Sequence, residues 1–305
     1  MELSVVSPVY RAEQIIPELI SGIVNAVNSL GVDYEIILVE DGSTDKSWLG
    51  IEQAARINPK VKGVKLSRNF GQHAAITAGI SYSSGDYVVV MDCDLQDSPA
   101  EIPRLFYKVK GGKDYVLAQR LERKHSLFQR LSSRTFYSVF SYLTGTKQDS
   151  SVGNFGIYSR KVIDAVLKMN DQFKYFPAQV QWVGFDGVVM PVTHYARHSG
   201  RSTYSLRRLI SLALNNMLSF SDKPLRLAVA YGVIVSLLSF TLASIYITLS
   251  LMGLILVSGF VSVIASIFFT SGSIIIVAGM VGLYVGKTFE VAKNRPIYIV
   301  DQITS

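Results

Sequence analysis

Three carboxylates, Asp92, Asp94 and Asp97, fall within the six residues Asp92-Cys93-Asp94-Leu95-Gln96-Asp97, directly after the apolar run Val88-Val89-Val90-Met91. Carboxylates this close repel one another and favour a cation between them. Oxygen donors suit Mg2+ or Mn2+, hard ions that bridge protein carboxylates to phosphates. A plainer role is open to the same residues, an Asp-rich turn capping a helix that opens at Pro99. A second acidic pair, Glu40-Asp41, closes another apolar run and leads into Gly42-Ser43-Thr44-Asp45, which also suits a strand-to-helix turn. His73, His125, His194 and His198 show no metal-ligand spacing, and a single Cys93 rules out an intramolecular disulfide.

Such groups need elements to hold them. Leu3–Val9, Tyr34–Val39, Val61–Leu66, Tyr87–Met91 and Tyr115–Ala118 are short apolar runs, rich in β-branched residues, that read as strands. Helical spacing fills Ile15–Leu30 and Gln72–Tyr82, and Ser43 or Thr44 is placed to cap a helix after the second strand. Apolar strands alternating with helices predict an α/β domain whose mainly parallel sheet is covered on both faces. Ligands of such sheets bind beyond the carboxyl ends of the strands. Pro8, Asp41, Asp92 and Asp94 all fall at those ends, which makes them candidate site residues by position.

The remainder of the chain has a different character. Hydrophobic residues make up 49% and the mean hydropathy is +0.30, with the excess concentrated near the C-terminus. From Leu227 to Gly286 there is no Asp, Glu, Lys, Arg or His. One bilayer crossing takes about 20 residues. Two crossings are therefore expected, near residues 227–252 and 262–286, with a turn around Gly253 and Ser258-Gly259. A buried hairpin of a soluble protein would not need apolar residues on every side. Arg207, Arg208, Lys223 and Arg226 precede the first crossing, Lys287, Lys293 and Arg295 follow the second, and the turn has no basic residue. The positive-inside rule then places the N-terminal domain and both termini in the cytoplasm. Leu127–Leu143 and Tyr204–Phe220 mix aromatics and leucines with arginines, as do amphipathic helices lying on a membrane or packed on a sheet. The net charge of +7 suits an anionic membrane surface and anionic substrates, with no nucleic-acid motif beside it. Met1-Glu2-Leu3-Ser4 lacks the basic start and cleavage site of a signal peptide.

Read in order, four motifs resemble those of inverting GT-A glycosyltransferases: Val6-Ser7-Pro8-Val9-Tyr10-Arg11-Ala12-Glu13, Val39-Glu40-Asp41-Gly42-Ser43-Thr44-Asp45, Arg68-Asn69-Phe70-Gly71-Gln72, and Asp92–Pro99. With Arg197-His198-Ser199-Gly200-Arg201-Ser202-Thr203-Tyr204 and the two crossings, the chain resembles the polyprenyl-phosphate sugar transferases, of the bactoprenol glucosyltransferase and dolichyl-phosphate mannose synthase type. The resemblance covers nearly the whole chain. It implies a cytosolic GT-A nucleotide-sugar-binding domain over 1–203, an interfacial amphipathic helix over 204–223, a transmembrane hairpin over 224–288 and a cytosolic tail over 289–305. The implied enzyme is a multi-pass protein of the bacterial inner membrane. It would transfer a sugar, with inversion, from UDP-glucose or another UDP-hexose to polyprenyl (undecaprenyl) phosphate, using Mg2+ or Mn2+. Homo-oligomers, including tetramers, occur among proteins of this type.

By the same resemblance, Pro8, Tyr10, Glu13 and Asp41 hold the nucleoside, Asp41 accepting from a uracil N–H. Asp92 meets the ribose or the metal, and Asp94 and Gln96 ligate the metal. Arg197 grips the diphosphate within the Arg-x-x-Gly-x-Ser-x-Tyr run that includes Arg201, Ser202 and Tyr204, and Arg120 and Arg123 lie near the acceptor phosphate. Two departures stand out. Many relatives carry Gly-Asp-Phe-Arg where this chain has Gly153-Asn154-Phe155-Gly156, and Asn154 cannot take up a proton. A phosphate acceptor with a second pKa near 6 needs little base help, so Asn154 would orient it, with Asp149 as a reserve carboxylate. Thr203 stands where many relatives have Lys, and Arg201 is placed to supply that charge. The change at Asn154 leaves open transfer of an amino or formamido sugar, or a non-catalytic membrane scaffold. A processive polysaccharide synthase is disfavoured, because Gln179-Val180-Gln181-Trp182 lacks the Arg of the Gln-x-x-Arg-Trp motif.

Overall fold

The computed structural model describes residues 1–120, 152–169, 171, 175–193, 223–252 and 259–304. They fall into two compact units, one built from 1–120, 152–193 and 295–304 and the other from 223–252 and 259–294.

The first unit is an eight-stranded sheet with helices on both faces. In chain order its elements are β1 Leu3–Val9, α1 Ile16–Asn28, β2 Tyr34–Glu40, α2 Ser47–Ile57, β3 Val61–Leu66, α3 Gln72–Ser81, β4 Tyr87–Val90, α4 Ile102–Lys110, β5 Tyr115–Arg120, β6 Val152–Ser159, α5 Arg160–Leu167, α6 Phe176–Trp182, β7 Gly187–Val192 and β8 Val300–Ile303. The strand order is β7-β5-β6-β4-β1-β2-β3-β8. β4, β1, β2 and β3 run parallel, β7 is parallel to β5, and β6 and β8 enter antiparallel. Successive strand residues serve opposite faces, which explains the unbroken apolar runs. Val5, Ile36, Leu38 and Val89 join α1, α2 and α4 in one core layer. Val6, Ile37, Val39, Val88 and Val90 join α3, α5 and α6 in the other. Helix α3 approaches closely at Gly79, where a Cβ would lie 2.3 Å from Val6 Cγ1.

The sheet holds three strands beyond the five expected from the sequence, β6, β7 and β8. Helix α2 opens at Ser47, with neither Ser43 nor Thr44 capping it; Asp45 Oδ1 accepts the Ser47 N–H at 3.1 Å. The stretch read as a tail contains β8, which pairs with β3 as the outermost strand.

The second unit is a pair of helices, α7 Lys223–Leu251 and α8 Phe260–Ala292. Leu225–Leu249 and Phe269–Ala292 are long and apolar enough to cross a membrane, with mean hydropathies of 2.0 and 1.7. Their large side chains point outward, Phe240 at 74% exposure and Ile275 at 70%. The hydroxyls of Thr241, Ser244, Thr248, Thr270, Ser273 and Thr288 each donate to the carbonyl four residues earlier. Polar groups satisfied inside their own helix suit an apolar solvent. The segments Leu127–Leu143 and Tyr204–Phe220, read as amphipathic, lie outside the described residues.

Candidate active site

The chain runs β1-β2-β3 outward and then returns to place β4 on the other side of β1. A crevice opens at such a reversal, at the carboxyl ends of the strands. The candidate residues gather there.

Asp41 follows β2 and is 3% exposed. Its Oδ1 accepts the Phe70 N–H at 2.7 Å and its Oδ2 the Gly71 N–H at 2.9 Å. Asn69 Nδ2 donates to the Asp41 carbonyl at 3.0 Å. Gly42 permits this approach: it has φ +63°, and a Cβ there would lie 2.3 Å from Asn69 N. Burial pushes the Asp41 carboxyl up from its ordinary value, against the pull of the two amides. Asp41 thus shapes the loop between β3 and α3. A contact to a base N–H would use a remaining lone pair on oxygens that already accept backbone donors.

That loop delivers Gln72, the first residue of α3. Gln72 Nε2 donates to Asp92 Oδ1 at 2.6 Å, and Asn154 Nδ2 donates to the same oxygen at 3.3 Å. Asn154 arrives on β6, whose antiparallel register sets Gly156 opposite Val90. Two neutral amides orient the Asp92 carboxylate without adding charge. Two residues on, Asp94 Oδ1 accepts the Gln96 N–H at 3.2 Å around Leu95, whose φ is +56°. The Cys93 thiol is pushed up to about 12 by burial and then by the charges of Asp92 and Asp94, so it stays protonated.

The opposite wall comes from the loop after β1. Pro8 is buried within β1, and Tyr10 is 45% exposed with the Arg11 guanidinium 5.3 Å from its ring centre. The Arg11 N–H donates to Ser43 Oγ at 3.0 Å, the Ala12 N–H to Ser47 Oγ at 3.0 Å, and Glu13 Oε2 accepts the Lys46 N–H at 2.8 Å. The loops after β1 and β2 are therefore fastened to each other.

Among the described residues no cluster of three His, Cys, Asp or Glu side chains makes a ready metal cage. The donors at the end of β4 fit an ion of another kind. Asp92 and Asp94 offer oxygen alone, and Mg2+ is commonly held by one or two carboxylates, with substrate phosphates and water filling the shell. Arg120 ends β5. Arg123, Asp149, Arg197, Arg201, Ser202 and Tyr204 lie outside the described residues. The structure brings together Pro8, Tyr10, Glu13, Asp41, Asp92, Asp94, Gln96 and Asn154 at one end of the sheet. It adds Gln72, given no chemistry above although its motif was visible. It also adds Glu101, a buried carboxylate paired with Arg104, whose Oε1 accepts the Thr193 N–H at 3.3 Å just before the Arg197 run.

Residues 4–167, spanning β1 to α5, match the family model for glycosyl transferase family 2. The chain belongs to that family. As a family 2 member it is a glycosyltransferase, and its sheet is the GT-A α/β arrangement expected from the motifs. It is 33% identical to YkcC of Bacillus subtilis, an uncharacterized glycosyltransferase, over 99% of this chain and 94% of that protein. It is 34% identical to the undecaprenyl-phosphate 4-deoxy-4-formamido-L-arabinose transferase of Enterobacter sp. (strain 638), over 100% of this chain and 94% of that protein. Glucosyl-3-phosphoglycerate synthase from Mycobacterium tuberculosis, solved with phosphoglyceric acid, shares the fold at a TM-score of 0.51 and 19% identity, covering 72% of this chain and 78% of that one.

Proposed function

We propose that this family 2 glycosyltransferase moves a sugar from a UDP-sugar to undecaprenyl phosphate at the cytoplasmic face of a membrane. The observation that carries this reading is the end-to-end match, through both long apolar helices, to a transferase named for undecaprenyl phosphate as its acceptor. Of the sugars left open by the sequence, the same relative favours a 4-amino- or 4-formamido-pentose over a hexose.

In this reading, Pro8, Tyr10, Glu13 and Asp41 cradle the nucleoside, and Asp92 and Asp94, with Gln96, hold a divalent cation. When bound, that cation supplies charge neutralisation for the departing diphosphate. A lipid phosphate oxygen forms the new bond to the sugar C1 as the C1–O bond to UDP breaks, its electron pair leaving with UDP, so the anomeric configuration inverts. The acceptor oxygen already carries charge at neutral pH, so no side chain need remove a proton. Asn154, a neutral amide, suits a site without a general base. Arg197 would grip the diphosphate through its fork of donors. Basic flanks on both long helices support a cytoplasmic catalytic domain, on the side where the lipid phosphate would be presented.

The test is a turnover assay of purified protein with undecaprenyl phosphate, Mg2+ or Mn2+, and a panel holding UDP-glucose, UDP-N-acetylglucosamine and UDP-4-deoxy-4-formamido-L-arabinose. A labelled glycolipid with at least one donor is expected, and Asp94→Ala should abolish it. Full turnover by Asp94→Ala would remove the metal assignment, and no product with any donor would remove the acceptor.

A further inference from the structure

The segment that follows α8 does more than end the chain. Val300–Ile303 forms β8, antiparallel to β3, with Val64 opposite Ile303 and Leu66 opposite Val300. Gly63 and Thr304, 241 positions apart, are joined twice: the Gly63 N–H donates to Thr304 Oγ1 at 2.8 Å and the Thr304 N–H to the Gly63 carbonyl at 3.0 Å. Lys65 pairs with Asp301 at 3.3 Å. The Ser67 N–H, first in the loop after β3, donates to the Ile299 carbonyl at 2.9 Å. Tyr298 Oη is 2.8 Å from Ser81 Oγ, at the far end of α3. Tyr298 and Val300 also pack on the core layer that holds Phe70.

These contacts bracket one loop. Residues 67–72 leave β3 beside Ile299, give the Phe70 and Gly71 N–H groups to Asp41, and end at Gln72, which holds Asp92. We infer that Tyr298–Thr304 is a positioning element for this loop, so that residues returning from the second long helix set the geometry around Asp41 and Asp92. A strand that merely widened the sheet would have no need of contacts at both ends of the loop-and-helix unit. The inference rests on the proposed function only in taking those two carboxylates as the donor site.

The test is hydrogen exchange read by mass spectrometry on the full-length protein in nanodiscs. It is compared with a variant lacking residues 298–305 and with Val300→Asp, which keeps the chain whole and sets a charge in the apolar layer. In both variants the amides of 67–72 should exchange about tenfold faster or more, while β1 and β2 keep their rates. Calorimetry with UDP and Mn2+ should show the Kd rise about tenfold as the loop loosens. Unchanged exchange in the loop, or equal acceleration across the whole sheet, would overturn the inference, the second by making β8 general support. Loosening of the loop in a protein that never binds UDP would leave the inference standing and sink the donor reading instead.

Discussion

Asp92 accepts from two amides on one oxygen, and neither donor is interchangeable with an acid. Hydrogen bonds to charged groups contribute about 1.5–3 kcal/mol. Gln72→Ala should therefore lower kcat/KM for the donor by roughly tenfold to a hundredfold with the fold intact, as read by steady-state kinetics and circular dichroism. Beside this pair, His73 is partly buried, its Nδ1 enclosed without a hydrogen-bond partner among the described residues and its ring 4.9 Å from that of Tyr175, edge to face. Burial lowers its pKa to about 4 from 6.5. Between those values the unfolded chain binds a proton that the folded chain does not. Stability from this group is thus complete above 6.5 and is lost as pH falls toward 4, by up to about 3 kcal/mol. His73→Phe keeps an aromatic ring against Tyr175 and removes the titration. Its melting temperature should fall less than the parent's between pH 6.5 and 4, and parallel curves would show that His73 does not titrate as described.

At the scale of elements, the turn after β2 and the loop after β3 interlock at Gly42. A side chain there must adopt a left-handed backbone, costing about 1–2 kcal/mol, and also displace Arg68 and Asn69. Gly42→Ala should lower the unfolding free energy by at least that amount and weaken nucleotide binding more than tenfold, measured by denaturant titration and calorimetry. The central strands were legible in the sequence because both faces of β1, β2 and β4 are buried, leaving unbroken runs such as Val88-Val89-Val90. The edges were not. β7 is apolar at Val188-Val189-Met190, but Gly187 and Pro191 bracket a run too short to mark a strand, and β8, Val-Asp-Gln-Ile, has three exposed residues out of four and no apolar run. The pairing of Asn154 with Asp92 was hidden for another reason. It depends on β6 entering antiparallel between β4 and β5, a register that no local pattern encodes. Asp41 stood out by its position at a strand end, but its use of both oxygens on a loop 29 and 30 residues away belongs to tertiary structure.

At the scale of the whole molecule, the proposed topology is open to a direct test. Cys93 is the sole cysteine, and its thiol is held protonated by burial. The native chain should therefore react poorly with maleimides, which makes it a quiet background for added cysteines. Ser258→Cys, which falls between the two long helices in the sequence, should label with a membrane-impermeant maleimide in intact cells. Thr44→Cys, exposed beside the candidate site, should label only after the membrane is opened. The reverse pattern would invert the proposed topology.

The outer edge of β3 is covered by a strand that lies beyond both long helices in the chain. Ribosomal synthesis runs from the N-terminus, so the sheet can assemble from β1 to β7 well before β8 is made. Until then β3 presents a row of unpaired backbone groups, the kind of edge that recruits other chains. A polypeptide whose helices fail to insert, and whose last strand cannot reach home, would carry that open edge as a mark of incomplete biogenesis, legible to chaperones and proteases.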